Sequence, residues 1–128
     1  MISAILYYPH PYSFTADTIS NLGNPVLNPF PGWLFFSLAF WYLAFMLPPI
    51  FLYLHKRLLH LSKNLARIGT LFNFCSLIGM ILLGFFPNLE NLLLIHATAA
   101  SLAFGGAVFG CIFYWVTMIK EAMMLSLI

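Results

Sequence analysis

Charged side chains are almost missing from this sequence: five Lys or Arg and three Asp or Glu stand among 128 residues, 6% of the chain, where soluble domains carry roughly 25%. That scarcity excludes a water-soluble globule, because a chain of this length folded in water must cover itself with far more polar surface. Cysteine is nearly absent as well. Cys75 and Cys111 fall inside apolar stretches, where no disulfide is expected and neither thiol is placed for reactivity. A formal charge of +2, with no basic run interleaved with aromatics outside the apolar stretches, excludes a nucleic-acid partner. What the chain does have is 62% hydrophobic residues, and the solvent that suits them is lipid.

Three apolar stretches, Trp33–Leu54, Ile68–Phe86 and Leu92–Ile119, contain no Asp, Glu, Lys or Arg. Each approaches or exceeds the roughly 20 residues a helix needs to cross the hydrocarbon layer. Inside lipid, backbone groups must be satisfied within the segment, so such runs are helices. The fold class is therefore an all-α membrane protein: three transmembrane helices preceded by an external Pro/Asn-rich loop or interfacial helix, forming a single membrane domain over residues 1–128. Pro48-Pro49 removes two backbone donors from the first span and predicts a kink in its inner half.

The cations set an orientation. Lys56, Arg57, Lys63 and Arg67 lie between spans one and two, and Lys120 follows span three on the same side, while the other connections hold no Lys or Arg. The positive-inside rule then puts the 55–67 loop and the C-terminus in the cytoplasm and residues 1–32 outside. The run Met1–Tyr8 lacks a basic n-region and is too short to span, so no cleavable signal is expected. Lys56, His60, Lys63 and Arg67 recur at i, i+4, i+7 and i+11, which would make one basic face if the linker were helical. With Arg57, this face is expected to meet anionic lipid headgroups, at about 1 kcal/mol per basic residue.

The external segment is dense in turn formers. Asp17 with Ser20 predicts a capped short helix, and Asn24-Pro25 and Asn28-Pro29 each force an extended residue before proline. In span three, Gly106-x-x-x-Gly110 is a small-residue ridge of the kind that lets helices approach closely. Asn73, about one and a half turns into span two, is expected to bond across to Tyr114 or Thr117. Phe35, Phe36, Phe40, Trp41, Tyr42 and Phe45 crowd span one, a surface suited to lipid tails or a flat hydrophobic cofactor.

Asp17-Thr18-Ile19-Ser20-Asn21-Leu22-Gly23 before a span, Gly79 to Pro87 closing a span and His96-Ala97-Thr98-Ala99-Ala100 opening the next resemble a family of uncharacterised multi-span membrane proteins of archaea and bacteria. That family shares an Asp-x-x-Ser-x-Leu-Gly loop and a Gly-x-Phe-Pro turn followed by a His, and is distantly similar to the autophagy-modulator membrane proteins of eukaryotes. The resemblance implies a prokaryotic plasma membrane and one external corner built from Asp17, Ser20, Gly23, Gly84, Pro87 and His96. Family members carry a span before the Asp loop and more spans after the third, so the resemblance implies a truncated or specialised member. It transfers no activity.

His96, about one turn inside its span, is the corner's chemical candidate. An ionisable group at membrane depth is a functional candidate by default. Paired with Asp17 it has the makings of a general base, and with Ser20 a lipid hydrolase of the external leaflet. Against that stands a His that simply pins the loop to the bundle. Zinc needs three or four ligands and this side offers only His10 besides His96, so no metal is expected. Haem between two His residues is disfavoured because His55 and His60 sit at the other end. The expected function is a non-catalytic accessory or structural subunit of a larger membrane assembly, lining lipid or a hydrophobic cofactor whose identity the residues leave unknown. Its expected partners are membrane lipids and other membrane subunits; the alternative is the enzyme using Asp17, Ser20 and His96.

Overall fold

The computed structural model describes residues 1–13, 15 and 17–125, and of residues 121–125 the side chain of Met123 only. Among the described residues every regular element is helical. They run as α1 (Ile2–Leu6), a 3-10 turn (Ile19–Gly23), α2 (Gly32–Met46), α3 (Pro48–Leu58), α4 (Lys63–Phe85), a second 3-10 turn (Glu90–Leu92), α5 (Leu93–Ala100), a π-turn (Ser101–Gly105) and α6 (Gly106–Leu125). They make three rods long and apolar enough to cross a membrane: Gly32–Leu58, Lys63–Phe85 and Glu90–Lys120.

The first rod is interrupted where two prolines remove consecutive donors from the helical ladder. α2 ends at Met46, capped by Leu47, whose amide closes the last bond to the Leu43 carbonyl at 3.0 Å, and α3 restarts with Pro48 in its first turn, where a missing N–H is harmless. The rods also run further than the apolar stretches. α3 continues through the basic residues to Leu58 and α4 begins at Lys63, with Ser62 extended at φ −157°, ψ 105° between them. The condition for one basic face, a helical linker, is thus not met. Lys56 and Arg57 belong to α3 while Lys63 and Arg67 belong to α4, on either side of a tight turn.

α4 is the central rod. Its buried positions Ala66, Gly69, Asn73, Ser76, Met80 and Leu83 alternate in steps of three and four, which keeps one stripe turned to a neighbour. Small residues on both sides bring the backbones together. A Cβ on Gly106 would meet the Phe72 carbonyl at 2.8 Å, one on Gly69 would meet the Tyr114 ring at 2.8 Å, and one on Gly110 would fall on the Asn73 side chain. The Gly106/Gly110 ridge is therefore occupied inside the chain, by α4. The register runs antiparallel: Phe86 lies by His96, Gly79 by Ala103, Ser76 by Gly106, Asn73 by Gly110 and Gly69 by Tyr114.

That register corrects the expectation for Asn73, which sits against Gly110, about one helical turn from Tyr114 and two from Thr117. Its carboxamide is fully buried, fills the groove left by Gly110, and has no hydrogen-bond partner among the described residues. The Tyr114 hydroxyl goes to Thr70 at 2.8 Å and the Phe51 carbonyl at 3.3 Å, and Thr117 bonds its own helix at Phe113. The π-turn takes its support from α4 too. Widening the helix disturbs the carbonyl ladder, and Ser76 Oγ donates to the Ala103 carbonyl at 2.6 Å.

The N-terminal segment is not a simple descent into span one. α1 packs on α2 with Ala4 fully buried, and the buried Asn28 amide donates to the Ala4 carbonyl at 3.1 Å and the Leu22 carbonyl at 2.8 Å. One side chain thereby joins α1, the first 3-10 turn and the loop before α2. Phe30-Pro31 is cis.

Candidate functional site

Three separate segments build the corner. The 3-10 turn carries Ser20, Phe86 ends α4 in an extended conformation at φ −112°, ψ 93°, and α5 carries His96. His96 Nδ1 lies 2.8 Å from the Phe86 carbonyl and Nε2 lies 3.1 Å from Ser20 Oγ. A carbonyl only accepts, so Nδ1–H is the donor; in the neutral ring Nε2 then accepts from the Ser20 hydroxyl. The imidazole is only 4% exposed, so both of its nitrogens are used within the protein.

Further contacts close the corner. Asn24 Oδ1 accepts from the amides of Val26 and Leu27, an Asx turn before the loop reverses, while its Nδ2 donates to the Asn88 carbonyl at 2.5 Å. A Cβ on Gly23 would come within 2.5 Å of the Phe36 ring, and one on Gly84 would overlap Trp41, whose indole N–H donates to the Ile81 carbonyl at 3.3 Å. Glycine at these positions lets the loop and α4 reach the aromatic face of α2.

Asp17 is not part of the His96 contact. It accepts from the Ser13 amide at 3.0 Å and from the Tyr8 hydroxyl at 3.4 Å, bracing the start of the segment. Burial, followed by the neighbouring carboxylate of Asp17, pushes the Tyr8 hydroxyl pKa above its ordinary value. Nor do Asp17 and Ser20 cap the 3-10 turn: Thr18 occupies the cap position, and its hydroxyl donates to Asn21 Oδ1 at 3.0 Å. Ser20 and His96 therefore touch without Asp17, and the group orienting the imidazole is the Phe86 carbonyl. This is the order nucleophile, base and orienter that activates a serine. Neither Ser20 nor His96 lines any of five clefts found among the described residues.

The opposite end has its own polar node. His55 Nδ1 is 2.6 Å from Thr70 Oγ1, and Thr70 also meets Tyr114, so one hydroxyl ties all three rods together. Thr70 and Phe86 are sixteen positions apart, about 24 Å along α4, which separates His55 from His96 by most of a bilayer. Among the described residues no three of His, Cys, Asp and Glu gather as a metal-ligand set. Thr70 and the Phe86 carbonyl escaped the sequence because nothing local marks them. A threonine one turn after Ala66 bonds its own helix at 2.7 Å whether or not a His stands nearby.

Beside the π-turn, Phe72, Cys75, Leu102, Gly105 and Phe109 line an outward-facing, nearly wholly apolar cleft of about 370 Å³. No family model, curated protein or solved structure matches this chain.

Proposed function

We propose that this chain is a non-catalytic integral membrane component, an accessory or structural subunit whose outer surface lines lipid or a hydrophobic cofactor within a larger assembly. The observation that carries this is His96. The ionisable side chain at the corner is only 4% exposed and spends both nitrogens on ties between separate segments. The apolar cleft at the π-turn and the exposed rings of Tyr42, Phe45, Tyr53 and Trp115 support an apolar partner. The three apolar rods, with the short Asp17–Gly23 and Gly79–Pro87 motifs, support a plasma-membrane location. Purification from native membranes in mild detergent, with crosslinking and mass spectrometry, should recover a stoichiometric membrane partner. A lone protein that hydrolyses lipid would overturn the proposal.

The Ser20–His96 hydrogen bond favours one competitor, the external-leaflet lipid hydrolase, in which His96 would draw the proton from Ser20. Sidedness belongs to the same proposal, since the five cations at one end support a cytoplasmic 55–67 turn. With Cys75 and Cys111 replaced by Ser, a membrane-impermeant maleimide applied to intact cells should label Ser13→Cys and spare Ser62→Cys. Labelling of the second and not the first would invert the orientation.

A further inference from the structure

The turn between α3 and α4 encloses a cleft of about 500 Å³ lined by Leu59, His60, Leu61, Ser62, Lys63 and Arg67. Lys63 and Arg67 sit one turn apart on α4, and Lys56 and Arg57 stand in the last turn of α3. All four are exposed, and among the described residues none forms an ion pair or hydrogen bond, so their charges remain open to an outside partner. Asp17 and Glu90, two of the three acids in the chain, lie at the far end of the bundle. No side chain caps the first turn of α4, whose amides add the positive end of the helix dipole beside the cleft.

We propose that this cleft binds the phosphate headgroup of an anionic phospholipid. Lys63 and Arg67 would meet the phosphate oxygens, and Leu59 and Leu61 the glycerol and first acyl carbons. Two observations select a lipid over a free anion. Half-buried leucines share the cleft with the cations, and the cleft lies where two apolar rods end, at headgroup depth. Its volume falls within the range of ligand sites, roughly 300–1,000 Å³. The proposal deepens the non-catalytic reading by naming a ligand, and it rests on the rods lying in a bilayer.

The test uses the full chain in dodecyl maltoside, offered equal amounts of phosphatidylglycerol and phosphatidylcholine, with retained lipid counted by native mass spectrometry. Phosphatidylglycerol should be retained preferentially. At about fivefold per basic residue, Lys63→Gln with Arg67→Gln should weaken its retention about 30-fold, while Lys120→Gln, outside the cleft, should change it by less than about twofold. Raised salt should weaken retention by the unsubstituted chain in the same direction, a readout that does not depend on the variant folding. Equal retention of both lipids, an unaffected double variant, or displacement by millimolar inorganic phosphate would each overturn the proposal. Resistance of the membrane-bound chain to alkaline carbonate separates the two levels: a chain that carbonate extracts defeats the bilayer reading itself, whereas a resistant chain without lipid preference defeats only the headgroup site.

Discussion

Gly79→Ala should destabilise the bundle by about 3 kcal/mol or prevent its folding, although it adds a single methyl group. The added carbon would overlap the backbone of Ala103 and stand 2.8 Å from the Ala99 carbonyl. Neither obstacle is the free end of a side chain, so relief requires α4 to part from α5 and the π-turn. That separation would also strain the Ser76 bond to Ala103. Gly105→Ala is the matched control, because a Cβ there meets nothing within 4 Å. It should be neutral, or stabilising by up to about 1 kcal/mol through helix propensity. Thermal unfolding of both variants in the same detergent decides the matter: Gly79→Ala as stable as Gly105→Ala would mean that the close approach of α4 to the π-turn is not present in the protein.

Replacing His96 with Leu should release the N-terminal segment, seen as rapid proteolysis between Tyr12 and Leu27, whereas Gln should leave it protected. Leu strands the Ser20 hydroxyl and the Phe86 carbonyl at a cost of about 1–3 kcal/mol for each group that stays buried. Gln keeps one donor for the carbonyl and one acceptor for the hydroxyl. The same pair of variants separates the two functional classes. If His96 were the base of a serine hydrolase, Gln could not take the Ser20 proton, and turnover would fall by roughly 10² or more. A fluorophosphonate probe should accordingly leave Ser20 unlabelled in the unsubstituted protein. His96-dependent labelling of Ser20 would establish the hydrolase and end the non-catalytic proposal.

The number of rods, their helical state and the break at Pro48-Pro49 were legible in the one-dimensional order of residues. Each follows from a property a segment has by itself: length against bilayer thickness, the absence of charge, a missing N–H. The rods overran the apolar stretches at the basic turn because helices continue past lipid into water, where Lys56, Arg57 and Lys63 are good helix formers. Pairing across segments was another matter. Ser20, Asp17 and His96 could be placed at one end, yet only the conformation of the first 3-10 turn put Ser20 on the imidazole and sent Asp17 back to Ser13 and Tyr8.

Likewise, residue spacing points Asn73 at Tyr114 and Thr117, but the register of α4 and α6 follows from the packing of Gly79, Gly106 and Gly110 and from the turn joining Phe86 to His96. Residue order thus determines here how many helices form, where they stop and which end carries charge, since these sum over local, solvent-driven terms. Which polar groups meet was left to the tertiary structure. A hydrogen bond is lost within about an ångström of misplacement, and no local property of either partner sets the distance between two packed helices to that accuracy.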